Sequence, residues 1–173
     1  MNLFLKIFGF LIVVIIIVGL LLDNTVNVRR QVVIEAAPQA IHPYLSDLKQ
    51  WPQWTPWKAL DPSIKTTIGN ISEGVGASQS WVGESGAGAL TITQSSLDEG
   101  VIFSLNFEGD STVYTSGITY QWDGKATTVT WYMTGNMEPI IIGNYFAQLM
   151  DTFVGQSYQD GLDKLKALVE EQV

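Results

Sequence analysis

Leu3 to Leu22 reads LFLKIFGFLIVVIIIVGLLL, apolar at every position but Lys6. At 1.5 Å per residue such a helix spans about 30 Å, the thickness of a hydrocarbon core. A helix apolar on all faces has no solvent side, which argues against a buried helix of a soluble domain. The run ends Leu20-Leu21-Leu22-Asp23-Asn24 without the small-residue site of a cleaved signal peptide. The pattern therefore predicts an uncleaved single-pass membrane anchor, with residues 1–25 as anchor and short linker and 26–173 as one further domain. The bilayer is thus an expected partner through residues 3–22.

Beyond the anchor the period changes. Val28–Ile34 alternates loosely and is rich in β-branched residues, which predicts a strand. Ala37-Pro38 opens a short helix from Gln39 to about Leu48, proline being tolerated at the first helical position. Trp51-Pro52-Gln53-Trp54-Thr55-Pro56-Trp57 is too proline-rich for a regular element and reads as an ordered aromatic loop. Six strands are expected next: Ser63–Ile68, Ala77–Val82, Ala87–Ser95, Val101–Phe107, Thr112–Trp122 and Thr127–Thr134. In the last, Val129, Trp131 and Met133 share one face, and Val101, Phe103, Leu105 and Phe107 do the same in the fourth. One-sided alternation of this kind belongs to an antiparallel sheet with one buried face. A long helix from about Ile142 to Val169 closes the chain. Phe146, Leu149, Met150, Phe153, Leu162, Leu165 and Leu168 recur there at three- and four-residue steps. Gly143, Gly155 and Gly161 each cost about 1 kcal/mol relative to Ala in a helix; they either permit close approach or leave room beside it.

Charge and composition narrow the function. The chain carries nine Lys and Arg against seventeen Asp and Glu, and has no cysteine and one histidine. No basic block offers a footprint for nucleic acid. Without cysteine there is no disulfide, thiolate metal site or thiol nucleophile. One histidine beside scattered carboxylates gives no closed ligand set, so neither a metal nor an organic cofactor is expected. Lys6 lies on one side of the apolar run, Arg29 and Arg30 beyond the other; the domain from Asp23 onward carries 8 − 17 = −9, which tilts the expectation towards export from the cytoplasm.

The order of strand, short helices, six-strand meander and long terminal helix resembles the helix-grip fold of the START and birch-pollen-allergen (SRPBCC) superfamily. Val28-x-Arg30, Val32-x-Ile34-x-Ala36-x-Pro38 and Leu45-Ser46-Asp47-Leu48-x-x-Trp51-Pro52-x-Trp54-x-Pro56-Trp57 are similar to the opening of its bacterial polyketide cyclase/dehydrase-like branch. Gly74-Val75-Gly76-Ala77-x-x-x-Trp81-x-Gly83, Thr128-x-Val-Thr-Trp131-x-Met133-x-Gly135 and Gly155-x-x-Tyr158-x-x-Gly161-Leu162 fit the same branch. The resemblance covers about residues 27–170. It implies an α+β domain, a seven-stranded antiparallel sheet wrapped around the C-terminal helix, with a hydrophobic small molecule or lipid as ligand.

In such a domain Trp81, Phe103, Phe107, Tyr120, Trp122, Trp131 and Met133 should point inward towards Phe146, Met150 and Phe153. They line a ligand cavity or fill a solid core. Trp51, Trp54 and Trp57 either gate one end of that cavity or staple the short helices to the sheet. Two classes of function follow. One is a membrane-anchored carrier without chemistry of its own. The other is a cyclase/dehydratase-like or isomerase-like enzyme using an acid such as Asp47 or Glu84 on an enolisable substrate. No acid–base pair can be placed at hydrogen-bond reach from the sequence, so the carrier leads. No catalytic residue is assigned, and His42 is expected to be solvated or locally bonded.

Overall fold

The computed structural model describes residues 2–139 and 141–172. Helix α1 (Asn2–Leu21) leads into β1 (Thr25–Ile34), so only Leu22, Asp23 and Asn24 separate helix from sheet. Helix α2 (Pro38–Ser46) begins on its proline as expected. The tryptophan-rich segment folds into a 3-10 turn, Trp51–Gln53, and one helical turn, α3 (Trp57–Leu60). Strands β2 (Lys65–Ile68), β3 (Ser78–Gly83), β4 (Gly86–Ser96), β5 (Gly100–Phe107), β6 (Tyr114–Trp122) and β7 (Thr127–Asn136) follow, then α4 (Ile142–Glu170).

The seven strands form one antiparallel sheet in the order β1-β7-β6-β5-β4-β3-β2. Strand β1 joins the meander at its far edge by pairing with β7 from Thr25↔Asn136 to Ile34↔Thr127. The fold is therefore the expected α+β helix grip behind an N-terminal apolar helix. The turn between β6 and β7 is held by Asp123, whose Oδ1 accepts from the Lys125 and Ala126 amides, while Gly124 supplies the positive φ of 94°.

The inward face of β5 is Val101, Phe103 and Leu105; that of β7 is Val129, Trp131 and Met133, as their alternation predicts. Helix α4 lies along β1 and reaches β7. It comes close because its inward positions are small. A Cβ at Gly161 would stand 2.9 Å from the Trp131 ring, one at Gly143 would meet the Met137 carbonyl oxygen at 2.5 Å, and one at Gly155 would strike the Arg30 guanidinium. These glycines permit close approach.

Four expectations are corrected by burial. Phe146 and Phe153 of α4 are 51% and 61% exposed, and Leu149 is exposed beside them. The buried stripe is instead Ala147, Tyr158, Leu162, Leu165 and Val169, with Gly143, Gly155 and Gly161 where the backbones approach. Packing selected the small-residue face, and the bulky side chains of the first three turns were rotated outward. Met150 keeps a half-buried place against the core. Trp122 has the same parity as Tyr120 but is 44% exposed at the hairpin end of β6, although Thr127, opposite it on β7, is buried.

Candidate functional site

The C-terminal turn of α2 leaves carbonyls without intrahelical partners. Two tryptophans three residues apart supply donors: Trp51 Nε1 donates to the Leu45 carbonyl (3.0 Å) and Trp54 Nε1 to that of Tyr44 (3.1 Å). Asp47 braces the same corner, accepting from the Lys49 amide at 3.0 Å and from the Gln50 side chain at 3.3 Å. With their polar edges fixed on α2, the two indoles turn their rings inward. Trp51 packs edge-on against Phe103 (5.4 Å between centroids), and Trp54 against Trp131 (5.3 Å).

Trp131 is the hub. Tyr158 of α4 stacks on it at 4.0 Å and 10°, and Trp57 meets both rings edge-on at 6.1 and 6.4 Å. Trp51 and Trp54 are buried, whereas Trp57 is half-buried at the rim. A second cluster lies farther along the same inward face, Trp81 edge-on to Phe107 (6.0 Å) and Phe107 to Tyr114 (5.8 Å). The Trp81 ring lies over Gly88, its partner across β3 and β4; a Cβ there would strike the ring. Trp81 and Phe107 are also half-buried. Met133 is fully buried beneath this sheet face.

Within the apolar wall polar groups are few. Burial pushes the Tyr158 phenol up to about 12, with the Ser116 hydroxyl and the Trp131 indole drawing it part of the way back. The indole effect is one of proximity. An N–H lies in its ring plane and cannot donate to a ring stacked on its face, and Trp131 Nε1, in a residue only 2% exposed, has no acceptor. An unsatisfied buried donor costs about 1–3 kcal/mol. It is the outstanding polar feature of the interior.

His42 reaches Tyr120, its Nδ1 lying 2.8 Å from the phenol oxygen. The phenol donates its single proton to the Ser96 carbonyl (3.0 Å), so His42 carries its proton on Nδ1 and donates it to Tyr120. Nε2 then accepts from Ser95 Oγ at 3.4 Å. Burial lowers the His42 pKa, against a smaller opposing pull from Glu73, and burial raises that of Tyr120. The sequence had given no signal for this pair, whose members lie 78 residues apart. Glu84 stands exposed on the β3–β4 turn, its amide donating to Ser63 Oγ (2.8 Å). Asp47 and Glu84 are thus kept out of the ring cluster.

Two shallow surface grooves complete the picture. One, of 320 Å³, is lined by Thr67, Ser78, Ser80, Ala89 and Thr91. The other, of 430 Å³, lies between α2 and the end of α4, lined by Gln39, Pro43, Tyr44, Gln50 and Gln172. Neither borders Trp131.

Residues 25–170 match the profile of a family described as polyketide cyclase/dehydrase and lipid transport. Among solved structures, a protein of Chromobacterium violaceum superposes with a TM-score of 0.62 at 15% identity, covering 83% of this chain and 96% of its own. Norcoclaurine synthase of Thalictrum flavum, solved with dopamine and hydroxybenzaldehyde, superposes at 0.63 with 14% identity over 91% and 93%. A protein of Thermus thermophilus gives 0.60 at 16% identity over 83% and 96%. At these identities the likeness is one of fold. No curated protein matches the chain.

Proposed function

The chain belongs to the polyketide cyclase/dehydrase and lipid transport family, and from that premise we propose that it is a membrane-anchored binder or carrier of a hydrophobic molecule. The family supports an apolar ligand. The observation that carries the reading further is the orphaned N–H of Trp131 in a wall of aromatic rings. Apolar walls with one well-placed polar group are how lipophilic sites fix orientation. The ligand is apolar with an oxygen acceptor, which takes the Trp131 N–H; it enters past Trp57, the half-buried ring at the rim. Trp81, Phe107 and Met150 extend the apolar surface. Helix α1 is the one helix among the described residues long and apolar enough to cross a membrane, Leu3–Leu21. It holds the domain at the bilayer, where such ligands reside.

Native mass spectrometry of the full chain released from lipid nanodiscs tests this reading. The expected result is a retained lipophilic adduct that is lost in Trp131→Phe while the fold survives. No adduct under any release condition would overturn it. Turnover of an enolisable substrate abolished by Asp47→Asn, with stability unchanged, would instead make the protein an enzyme.

A further inference from the structure

Helix α4 presents two unlike halves to solvent. From Ile142 to Gln159 the only charged residue is Asp151; from Asp160 to Glu171 there are Asp160, Asp163, Lys164, Lys166, Glu170 and Glu171. The exposed residues of the first half include Ile142, Phe146, Leu149 and Phe153. At steps of four, three and four they form one stripe about 16 Å long. On the same side Gln156, Asp160 and Lys164 continue the helix in polar residues. The single charge of the apolar half is neutralised, since Asp151 takes a two-pronged contact from Arg30 at 2.7 and 3.1 Å.

The apolar half is also the half fastened to α1. Asn144 Nδ2 donates to the carbonyls of Gly19 (2.8 Å) and Leu22 (2.7 Å), and Gln148 to that of Asp23 (2.8 Å). Tyr145 Oη donates to the Ile15 carbonyl at 2.7 Å. Gly19, the buried glycine of α1, faces Ile141 and Tyr145. Ile15 lies six residues before the end of α1, about 9 Å along its axis. Any bilayer that encloses α1 to Leu21 therefore meets the first turns of α4 as well.

We propose that the first three turns of α4, Ile142–Phe153, form a second membrane contact, lying in the lipid interface with Ile142, Phe146, Leu149 and Phe153 among the acyl chains. The proposal rests on the reading of α1 as an anchor. Its occupant is the lipid surface itself, because the stripe is continuous with the anchor and turns polar away from it. With this contact the domain has a fixed face towards the bilayer, rather than one tether.

The chain lacks cysteine, so single-cysteine variants can carry an environment-sensitive fluorophore in the full-length protein reconstituted in phosphatidylcholine vesicles. Phe146→Cys and Phe153→Cys report on the stripe, Lys164→Cys on the charged half, and Val14→Cys on α1. The expected result is blue-shifted emission at 146 and 153, with loss of iodide quenching and gain of quenching by doxyl-labelled lipid; the label at 164 behaves oppositely. Iodide quenching at 146 and 153 equal to that at 164, with the label at 14 shielded, overturns the proposal and leaves the anchor standing. A label at 14 open to iodide overturns both. Labels at 146 and 153 shielded from iodide yet insensitive to doxyl lipid would place protein over the stripe, and also overturn it.

Discussion

Trp131 and Tyr158 lie ring on ring, 4.0 Å apart at 10°, joining β7 to α4 at the centre of the domain. The stack accounts for the burial of both residues and leaves the Trp131 N–H without an acceptor. Stability and the proposed binding therefore depend on different parts of one side chain.

Trp131→Phe keeps an aromatic face for Tyr158 and deletes the donor. Trp131→Ala removes the ring and should cost about 3–5 kcal/mol. Thermal melts should show a large loss for alanine and a much smaller one for phenylalanine, because the phenylalanine variant removes an unsatisfied group along with some packing.

Two helix glycines should respond in opposite senses. At Gly155 a methyl group meets only the tip of Arg30, whose contacts with Asp151 are solvent-exposed, and pairs of that kind are worth about 0–1 kcal/mol. Arg30 can swing aside, and the helix gains up to about 1 kcal/mol from alanine; Gly155→Ala should be neutral or mildly stabilising. At Gly161 the neighbour is the Trp131 ring, held by Trp54, Trp57 and Tyr158. Gly161→Ala should therefore destabilise, as chemical denaturation of the two variants will show.

His42 should give a pH dependence around neutrality. Its folded pKa is lowered by burial, so the unfolded chain binds the proton more readily. The associated stability is present above the unfolded value, about 6.5, and is lost as pH falls from there towards the folded pKa. Melting temperatures between about pH 7 and 5 should fall in the native chain, and His42→Gln should flatten that part of the profile.

A second acid limb belongs to Asp61. Ser63 and Ser85 hold its carboxylate down to about 2 by hydrogen bonds from the Ser63 hydroxyl and from the Ser63 and Ser85 amides. A depressed acid contributes stability above its unfolded pKa and loses it as pH falls through the folded one. Asp61→Asn should lower the melting temperature at pH 7, with the difference from the native chain shrinking between about pH 5 and 2.

Strands β5 and β7 were legible because each has one apolar and one polar face, and period two assigns the inner face without ambiguity. Helix α4 was legible in extent but not in rotation. Phe146, Leu149 and Phe153 outweigh Ala147, Gly155 and Gly161 in any hydropathy count, yet the small residues are the ones that admit Arg30 and Trp131. Close approach leaves little hydrophobic signal. The aromatic loop was recognisable by its prolines, while the destination of the Trp51 and Trp54 N–H groups depended on where α2 ended. His42 and Tyr120 illustrate the other limit: a single hydrogen bond between distant positions has no periodicity to betray it.

The cap on α1 has a consequence in time. The carbonyls of Gly19 and Leu22 are completed by Asn144, more than a hundred residues downstream, and β1 waits for β7 across a comparable interval. A ribosome making this chain from its N-terminus finishes the first helix and the first strand long before either has a partner. What is synthesised first is locked last. Until residue 144 emerges, the junction between helix and sheet stays open, and a nascent chain arrested before β7 holds β1 as an unpaired edge, the kind of strand that recruits other chains.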